Sequence, residues 1–287
     1  MPYTHYGEIG DIWKHLPLCS ILNEERPASY VETNAAYPAY RLDRTENRNF
    51  GIYYLFEQAG RDHRQTIGRS DYMKLVGRIP GNQGNELHAY LGSPGLAMNM
   101  LRNSSRYLFC DIEKEPLQRI TEYAERQGLI TQVRTMQGDS VDRLWHDIDG
   151  MGPETFLHID PYRIFERNGS GRCYFDLFAK AAERGIKTML WYGFETLDDR
   201  SDLHAKMRAS LPVRVTELYG REIYVESIGQ SVISVNPGVP GCGILTANLS
   251  QASVTACRRH AAELETVYRQ ARFQDRAAGL IVAEIRL

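Results

Sequence analysis

Three acids at or just beyond the ends of predicted strands are the residues of this chain best placed to do chemistry. Asp111 follows Tyr107-Leu108-Phe109-Cys110, Asp139 comes two residues after Gln137, and Asp160 closes Phe156-Leu157-His158-Ile159 ahead of Pro161, Tyr162 and Arg163. In an open α/β sheet, ligands bind outside the carboxyl ends of the strands. An acid ending a second strand can accept hydrogen bonds from both hydroxyls of a ribose. One after a third strand can meet an exocyclic amine, and Asp160 can take a hydrogen bond or a proton from an amine nucleophile. Taken singly, Asp111 and Asp139 also read as turn or capping residues, Asp139 because Asp-Ser precedes an apolar helical pattern. The repetition of acid-terminated strands is the more specific signal.

Those acids need a sheet to hold them. Strands are predicted at Ser29–Thr33, Arg106–Asp111, Gln132–Met136, Thr155–Ile159 and Lys187–Tyr192, with helices at 11–22, 115–127, 140–145 and 173–184. Pro17 is expected to kink the first helix. The region from about Leu42 to Tyr90 is polar and glycine-punctuated, with short helical patterns at 50–58 and 70–76, and reads as a helical insertion or lid rather than sheet. Beyond it come β-rich stretches at 213–227 and 241–248, broken by Pro237-Gly238 and Pro240-Gly241. A polar helix near 254–271 follows, with a candidate last strand at 281–285. This alternation predicts a doubly wound α/β sheet in a single domain over 1–287, with 42–90 inserted into it.

Composition narrows the function. With 43% apolar and 24% charged residues the chain has the profile of an ordinary globular protein, and no apolar run approaches the roughly 18 residues of a membrane span. The start, Met-Pro-Tyr-Thr-His-Tyr-Gly-Glu, lacks the pattern of a signal peptide, so a cytoplasmic location is expected. Five cysteines without CxxC spacing and eight scattered histidines predict neither a metal site nor a disulfide framework. Net charge −2 argues against a phosphate-binding face, so nucleic acid is not an expected partner; oligomeric state is left open.

Several segments, in order, resemble the bacterial large-subunit ribosomal RNA adenine-N6 methyltransferases, whose fold is the class I S-adenosylmethionine (SAM)-dependent one. His5-Tyr6-Gly7 with Asp11, Lys14 and His15 resembles that family's N-terminal segment, and Thr33-Asn34-Ala35 its first motif. Tyr90-Leu91-Gly92-Ser93-Pro94 and Leu190-Trp191-Tyr192 match two more, and Asp160-Pro161-Tyr162 is similar to the Asp/Asn-Pro-Pro-aromatic catalytic motif of amino-group methyltransferases. The resemblance implies a Rossmann-like, mostly parallel sheet whose last strand inserts antiparallel. It also implies SAM held by Asp111 at the ribose, Asp139 near the adenine, and Lys14 with Ser93 at the methionine carboxylate. His15, Thr33, Asn34 and Pro161 fall in the same cofactor-binding segments.

The departures lie on the acceptor side. The second proline of the catalytic motif is missing, so Tyr162 arrives one place early and the base-stacking geometry is not expected to survive. Where the family's first motif continues with glycines, this chain has Ala36-Tyr37-Pro38-Ala39-Tyr40. The expectation is therefore an enzyme for which SAM is itself the substrate, similar to the azetidine-2-carboxylate synthases. Asp160, Tyr162, Tyr37 and Tyr192 would carry the chemistry by folding SAM so that its amine displaces methylthioadenosine from its own γ-carbon. Methyl transfer to ribosomal RNA or to a small amine, and non-catalytic SAM binding, are the alternatives.

Overall fold

A strand order of β5-β4-β1-β6-β7-β9-β8-β12 defines the main sheet of the computed structural model, which describes residues 4–61, 67–83, 86–229, 236–285 and 287. Its strands are β1 (Ser29–Glu32), β4 (Arg106–Asp111), β5 (Val133–Gln137), β6 (Thr155–Ile159), β7 (Lys187–Phe194), β8 (Leu218–Val225), β9 (Gly241–Ala247) and β12 (Leu280–Glu284), while β10 (Arg272–Phe273) and β11 (Arg276–Ala277) pair apart from it. From β5 to β7 all neighbours are parallel; β9 runs antiparallel between β7 and β8, and β12 is antiparallel to β8 at the edge. This is the class I SAM-dependent methyltransferase fold with one further edge strand. Strands β6 and β9 are buried at every residue and show no apolar–polar alternation; the polar members, such as His158 and Thr246, are buried with the rest.

Helix α1 (Ile9–Glu25) is buried along most of its length and runs on through Pro17. It packs against α4 (Asp71–Gly77), α5 (Ser93–Leu101), α10 (Gln251–Tyr268) and β9. Its Asp11, Lys14 and His15 are spaced three and four apart and so share one face. The remaining sheet helices are α6 (Lys114–Arg126), α7 (Ser140–Asp147), α8 (Tyr174–Glu183) and α9 (Leu197–Ser210). The last of these has no apolar periodicity to betray it; the reciprocal bonds of Thr196 and Asp199 cap its start.

Between β1 and β4 the chain differs in detail from the sequence expectation. Strands β2 (Ala39–Arg41) and β3 (Ala89–Leu91) form a two-stranded antiparallel ribbon at the base of the insertion, so it is not free of sheet. Helices α2 (Glu46–Arg48) and α3 (Tyr54–Arg61), joined by a π-helical turn at Asn49–Tyr53, and α4 carry it back. Residues 62–66 and 84–85 of this stretch lie outside the described residues. The described part packs on α1 and α10: Tyr268 donates to the Gly51 carbonyl at 2.9 Å, and the Phe50 and Tyr268 rings meet edge-on at 5.3 Å. Among the described residues none from 42 to 91 lines the cavity described below. No helix of the described residues is long and apolar enough to cross a membrane. Ile281 lies in β12, the strand expected at 281–285.

Candidate active site

A cavity of about 780 Å³ opens at the carboxyl ends of β1, β4 and β6, where the strand order reverses direction between β1 and β6. The volume lies within the range of small-molecule sites. Lys14, His15, Thr33, Asn34, Ser93, Asp111, Asp160, Pro161 and Tyr162 all line it, so nine of the twelve residues singled out from sequence converge there. The other three do not.

Tyr192 is the clearest correction. Successive residues of a strand face opposite sides of the sheet, so β7 sends Trp191 into the cavity and Tyr192 away from it. Tyr192 is fully buried, donates to Glu222 at 2.5 Å, and crosses β9 at Gly243, where any Cβ would lie 2.4 Å from its ring. Tyr37 stands behind the wall: its ring meets Tyr40 edge-on at 5.7 Å and its amide donates to the Tyr40 hydroxyl at 3.2 Å, and it is Tyr40 that faces the cavity. Asp139 caps α7, accepting from the Asp142 amide at 3.1 Å and from the Asn168 side-chain amide at 3.1 Å. Its contact with the cavity runs through Asn168, which lines it.

The catalytic candidate Asp160 follows β6 directly. Its carboxylate accepts from Lys14 Nζ at 2.6 Å, and the same ammonium lies 3.0 Å from Asp11. Burial holds Asp160 above the usual aspartate range despite Lys14; for Asp11, burial is more than offset by Lys14, His15 and the Gly7 amide, and the carboxyl lies below it. Lys14 itself is pushed down by burial but raised on balance by its two carboxylates. A lysine so placed is a fixed charge, not a proton donor. Its Nζ also lies 5.5 Å from the centre of the Trp191 ring.

Aromatic rings make up much of the wall. Tyr6 and Tyr40 stack at 4.3 Å between ring centres, with the Tyr6 hydroxyl bonded to Asp43 at 3.1 Å and the Arg48 guanidinium 3.8 Å from its ring. Opposite in sequence, Tyr162 lies 6.2 Å from Trp191 and packs over Gly193, where a Cβ would sit 2.1 Å from its ring. Only glycine in β7 leaves room for it. Tyr174, at the start of α8, accepts from the Asn34 amide at 2.9 Å. Asp111 is buried at the end of β4 and accepts from the Glu113 amide at 2.7 Å, while Ile112 beside it is 66% exposed at the cavity edge.

Beneath the floor lies a polar cluster. Glu32, fully buried at the end of β1, accepts from Ser93 and from Tyr30 at 2.9 Å, and His158 lies 3.4 Å from it. Lining residues absent from the sequence-based site include Trp191 and, from loops, Asn168, Glu166, Gly238 and Val239. Trp191 was reachable from strand alternation once the cavity face was known; the others are brought in by loops and carry no periodic signal.

No family model matches the chain. Over 115 residues it is 32% identical to a Haemophilus influenzae protein named ribosomal RNA large subunit methyltransferase J. That stretch is 38% of this chain and 40% of that relative, so the match spans less than half the length of either. Among solved structures, the Legionella pneumophila protein LPL1258 superposes with a TM-score of 0.73 over 98% of both chains at 21% identity, which establishes a shared fold.

Proposed function

We propose that the chain binds SAM in this cavity and is a SAM-dependent enzyme of the methyltransferase type, with an amine held at Asp160 as the nucleophile. One observation carries this: Asp111 at the end of β4 and Asp160 after β6 open onto a single cavity at the sheet's switch point. SAM, when bound, supplies electrophilic carbons around a sulfonium. Asp111 would accept from the ribose hydroxyls, the rings of Tyr40, Tyr6 and Trp191 would face the cation, and Asp160 would orient the amine and ease loss of its proton. The partial match to an enzyme named for ribosomal RNA methylation supports an external acceptor, either RNA or a small amine.

A second, finer reading makes the acceptor SAM's own amine. Its nitrogen would displace sulfur from the γ-carbon, closing azetidine-2-carboxylate, with the C–S electron pair leaving on methylthioadenosine and a proton passing from nitrogen to solvent. What favours it is the acceptor side of Asp160: Tyr162 packs against Gly193 and Trp191, and Lys14 occupies one carboxylate oxygen, in the region a planar base would have to enter. A near-attack fold of one bound molecule needs no such opening.

One experiment tests both. The purified protein is incubated with SAM alone, with SAM and unmodified large-subunit RNA, and with SAM and small amines, and the products are identified by mass. S-adenosylhomocysteine formed only with an acceptor supports methyl transfer; methylthioadenosine with azetidine-2-carboxylate from SAM alone supports cyclisation. No turnover under any condition, together with no SAM binding by calorimetry, would overturn the proposal.

A further inference from the structure

His5 stands at the rim of the cavity, on the segment that leads into α1. Its side chain is 77% exposed, yet its surroundings hold it from several sides. Nδ1 lies 3.1 Å from Glu8 Oε2, and the other oxygen of Glu8 accepts from the Asn47 side-chain amide at 3.2 Å. Glu8, which also lines the cavity, is buried and immediately precedes α1. Against it passes Gly238, where any Cβ would collide with Glu8 Oε2, so only glycine leaves that oxygen free to hold the imidazole. The buried Arg48 of α2 fixes the backbone on both sides of His5. It donates to the Tyr6 carbonyl at 3.0 Å and to the Thr4 carbonyl at 2.8 Å.

Surface ion pairs contribute little to stability, so this bracing is better explained by what the free nitrogen of the ring faces. A carboxylate only accepts, so Nδ1 carries the proton and the neutral ring presents a lone pair at Nε2. Among the described residues Nε2 has no hydrogen-bond partner. The bond from Glu8 and the charges of Glu8 and Asp11 favour the imidazolium, while partial burial and Arg48 oppose it. The balance lies above the usual histidine value.

That balance suits one kind of nucleophile. An α-amino group, with a pKa of about 8, is an ammonium at neutral pH and has no lone pair until a proton leaves. An ordinary aspartate, at about 3.9, is a poor match as its acceptor, whereas an imidazole, at about 6.5 before it is raised, is a close one. Asp160 meanwhile stays paired with Lys14 at 2.6 Å and serves to orient the amine. Asp11 links the two places, since it acts on His5 and lies 3.0 Å from the same lysine.

We infer that His5, oriented by Glu8, is the general base that deprotonates the nucleophile, and that the nucleophile is an aliphatic amine, either a small second substrate or the amino group of SAM itself. An N–H bond of the ammonium breaks with its electron pair left on nitrogen. The proton moves to Nε2 and, from the exposed ring, to solvent. The freed amine then bonds to a carbon of SAM while the C–S electrons return to sulfur. A nucleobase amine carries no such proton and leaves the histidine without a task. The inference rests on the SAM reading and names the class of its nucleophile.

The test follows product formation from SAM alone, from SAM with alkyl amines, and from SAM with unmodified large-subunit RNA; the first two arms separate the two sources of the amine. His5→Ala should bind SAM as the wild type does by calorimetry and turn over about 100-fold more slowly. Added imidazole should restore part of the rate, because the missing ring stood at an open rim. The wild-type pH–rate profile should carry an inflection above the usual histidine value. It should be separate from the lower one of Asp160, persist in Asp160→Asn and be absent from His5→Ala. Glu8→Gln should keep this inflection but move it to lower pH, since Glu8 raises the imidazole's pKa. Undiminished turnover in His5→Ala, an inflection that persists there, a loss that imidazole does not relieve, or product formed with RNA as the sole acceptor would overturn the inference. A wild-type protein that binds no SAM, or gives no product in any arm, would instead overturn the SAM reading itself.

Discussion

Two carboxylates largely shielded from solvent, Glu222 of β8 and Asp160 just after β6, have opposite fates. Glu222 of β8 is fully buried and receives three side chains: the Tyr192 hydroxyl, His204 at 2.7 Å, and Arg200. Asp160 receives one, Lys14. The electrostatics follow the donor count. Burial raises both, but at Glu222 the bonds from His204, Tyr192 and Arg200 more than offset it and the net shift is downward, whereas at Asp160 burial outweighs Lys14 and the net shift is upward. A satisfied carboxylate sealed under α9 is a structural fastener. An under-supplied one facing a cavity is ready for a substrate donor. Acid residues alone do not mark a site; the deficit of donors next to open space does.

The comparison can be broken from either side. The largest effect should come from Glu222→Ala, which leaves Arg200 and Tyr192 without their shared acceptor. Stability should fall by about 3–5 kcal/mol, the range for removing one partner of a buried ion pair. Chemical denaturation would measure it, and SAM affinity of the folded fraction should be unchanged. A variant with normal stability and lost SAM binding would put Glu222 in the site after all.

Asp160→Asn should do the reverse. The fold and SAM binding should persist while turnover falls on the order of 100-fold, the lower end of what a positioned acid–base group contributes. The sign of its pKa shift adds a pH signature. Because burial raises the native value, Asp160 protonates at higher pH than an ordinary aspartate, so the acidic limb of the turnover profile should sit above the usual carboxylate range and vanish in Asp160→Asn. For Glu222, whose native pKa is lowered, the stability it contributes is complete above the ordinary glutamate range and is lost as pH falls through the native value. An unshifted acidic limb in Asp160→Asn would remove Asp160 from the proton path.

Asp111→Ala should weaken SAM binding by about 2 kcal/mol for one charge-assisted hydrogen bond, with little change in the melting curve. Unchanged affinity by calorimetry in a folded variant would exclude it from the site. The smallest effects separate the two tyrosines flanking Trp191. Tyr192→Phe should cost about 1 kcal/mol of stability and nothing in turnover, since it removes one of three donors to Glu222. Tyr162→Phe keeps the ring on Gly193 and should leave both nearly as they were. Reduced turnover in Tyr192→Phe with normal stability would contradict the placement of its hydroxyl.

Much of the architecture was legible beforehand because its signals are local. Strands β4 and β6 fall where apolar runs end in an acid, and α6, α8 and α10 follow from helical periodicity within a few residues at their ends. Helix α9 was not legible, since Leu197, Leu203 and Met207 are too few and too irregularly spaced to mark an apolar face, and its start is set by Thr196 with Asp199. The ribbon of β2 and β3 was missed because its strands are three residues each and pair across the whole insertion.

For the site, sequence alone determined that acids stand at the ends of β4 and β6 and that Asp11, Lys14 and His15 share a helical face, because strand ends and helical spacing are properties of neighbouring residues. Only the tertiary structure decided how these groups are divided. It paired Lys14 with Asp160 across 146 positions and Tyr192 with Glu222 across 30, joined His15 to Tyr90 across 75, and seated Tyr162 on the one residue of β7 without a Cβ. Whether an acid or an aromatic ring serves the cavity or the core depends on which donors reach it from distant elements, and a linear pattern does not carry that information.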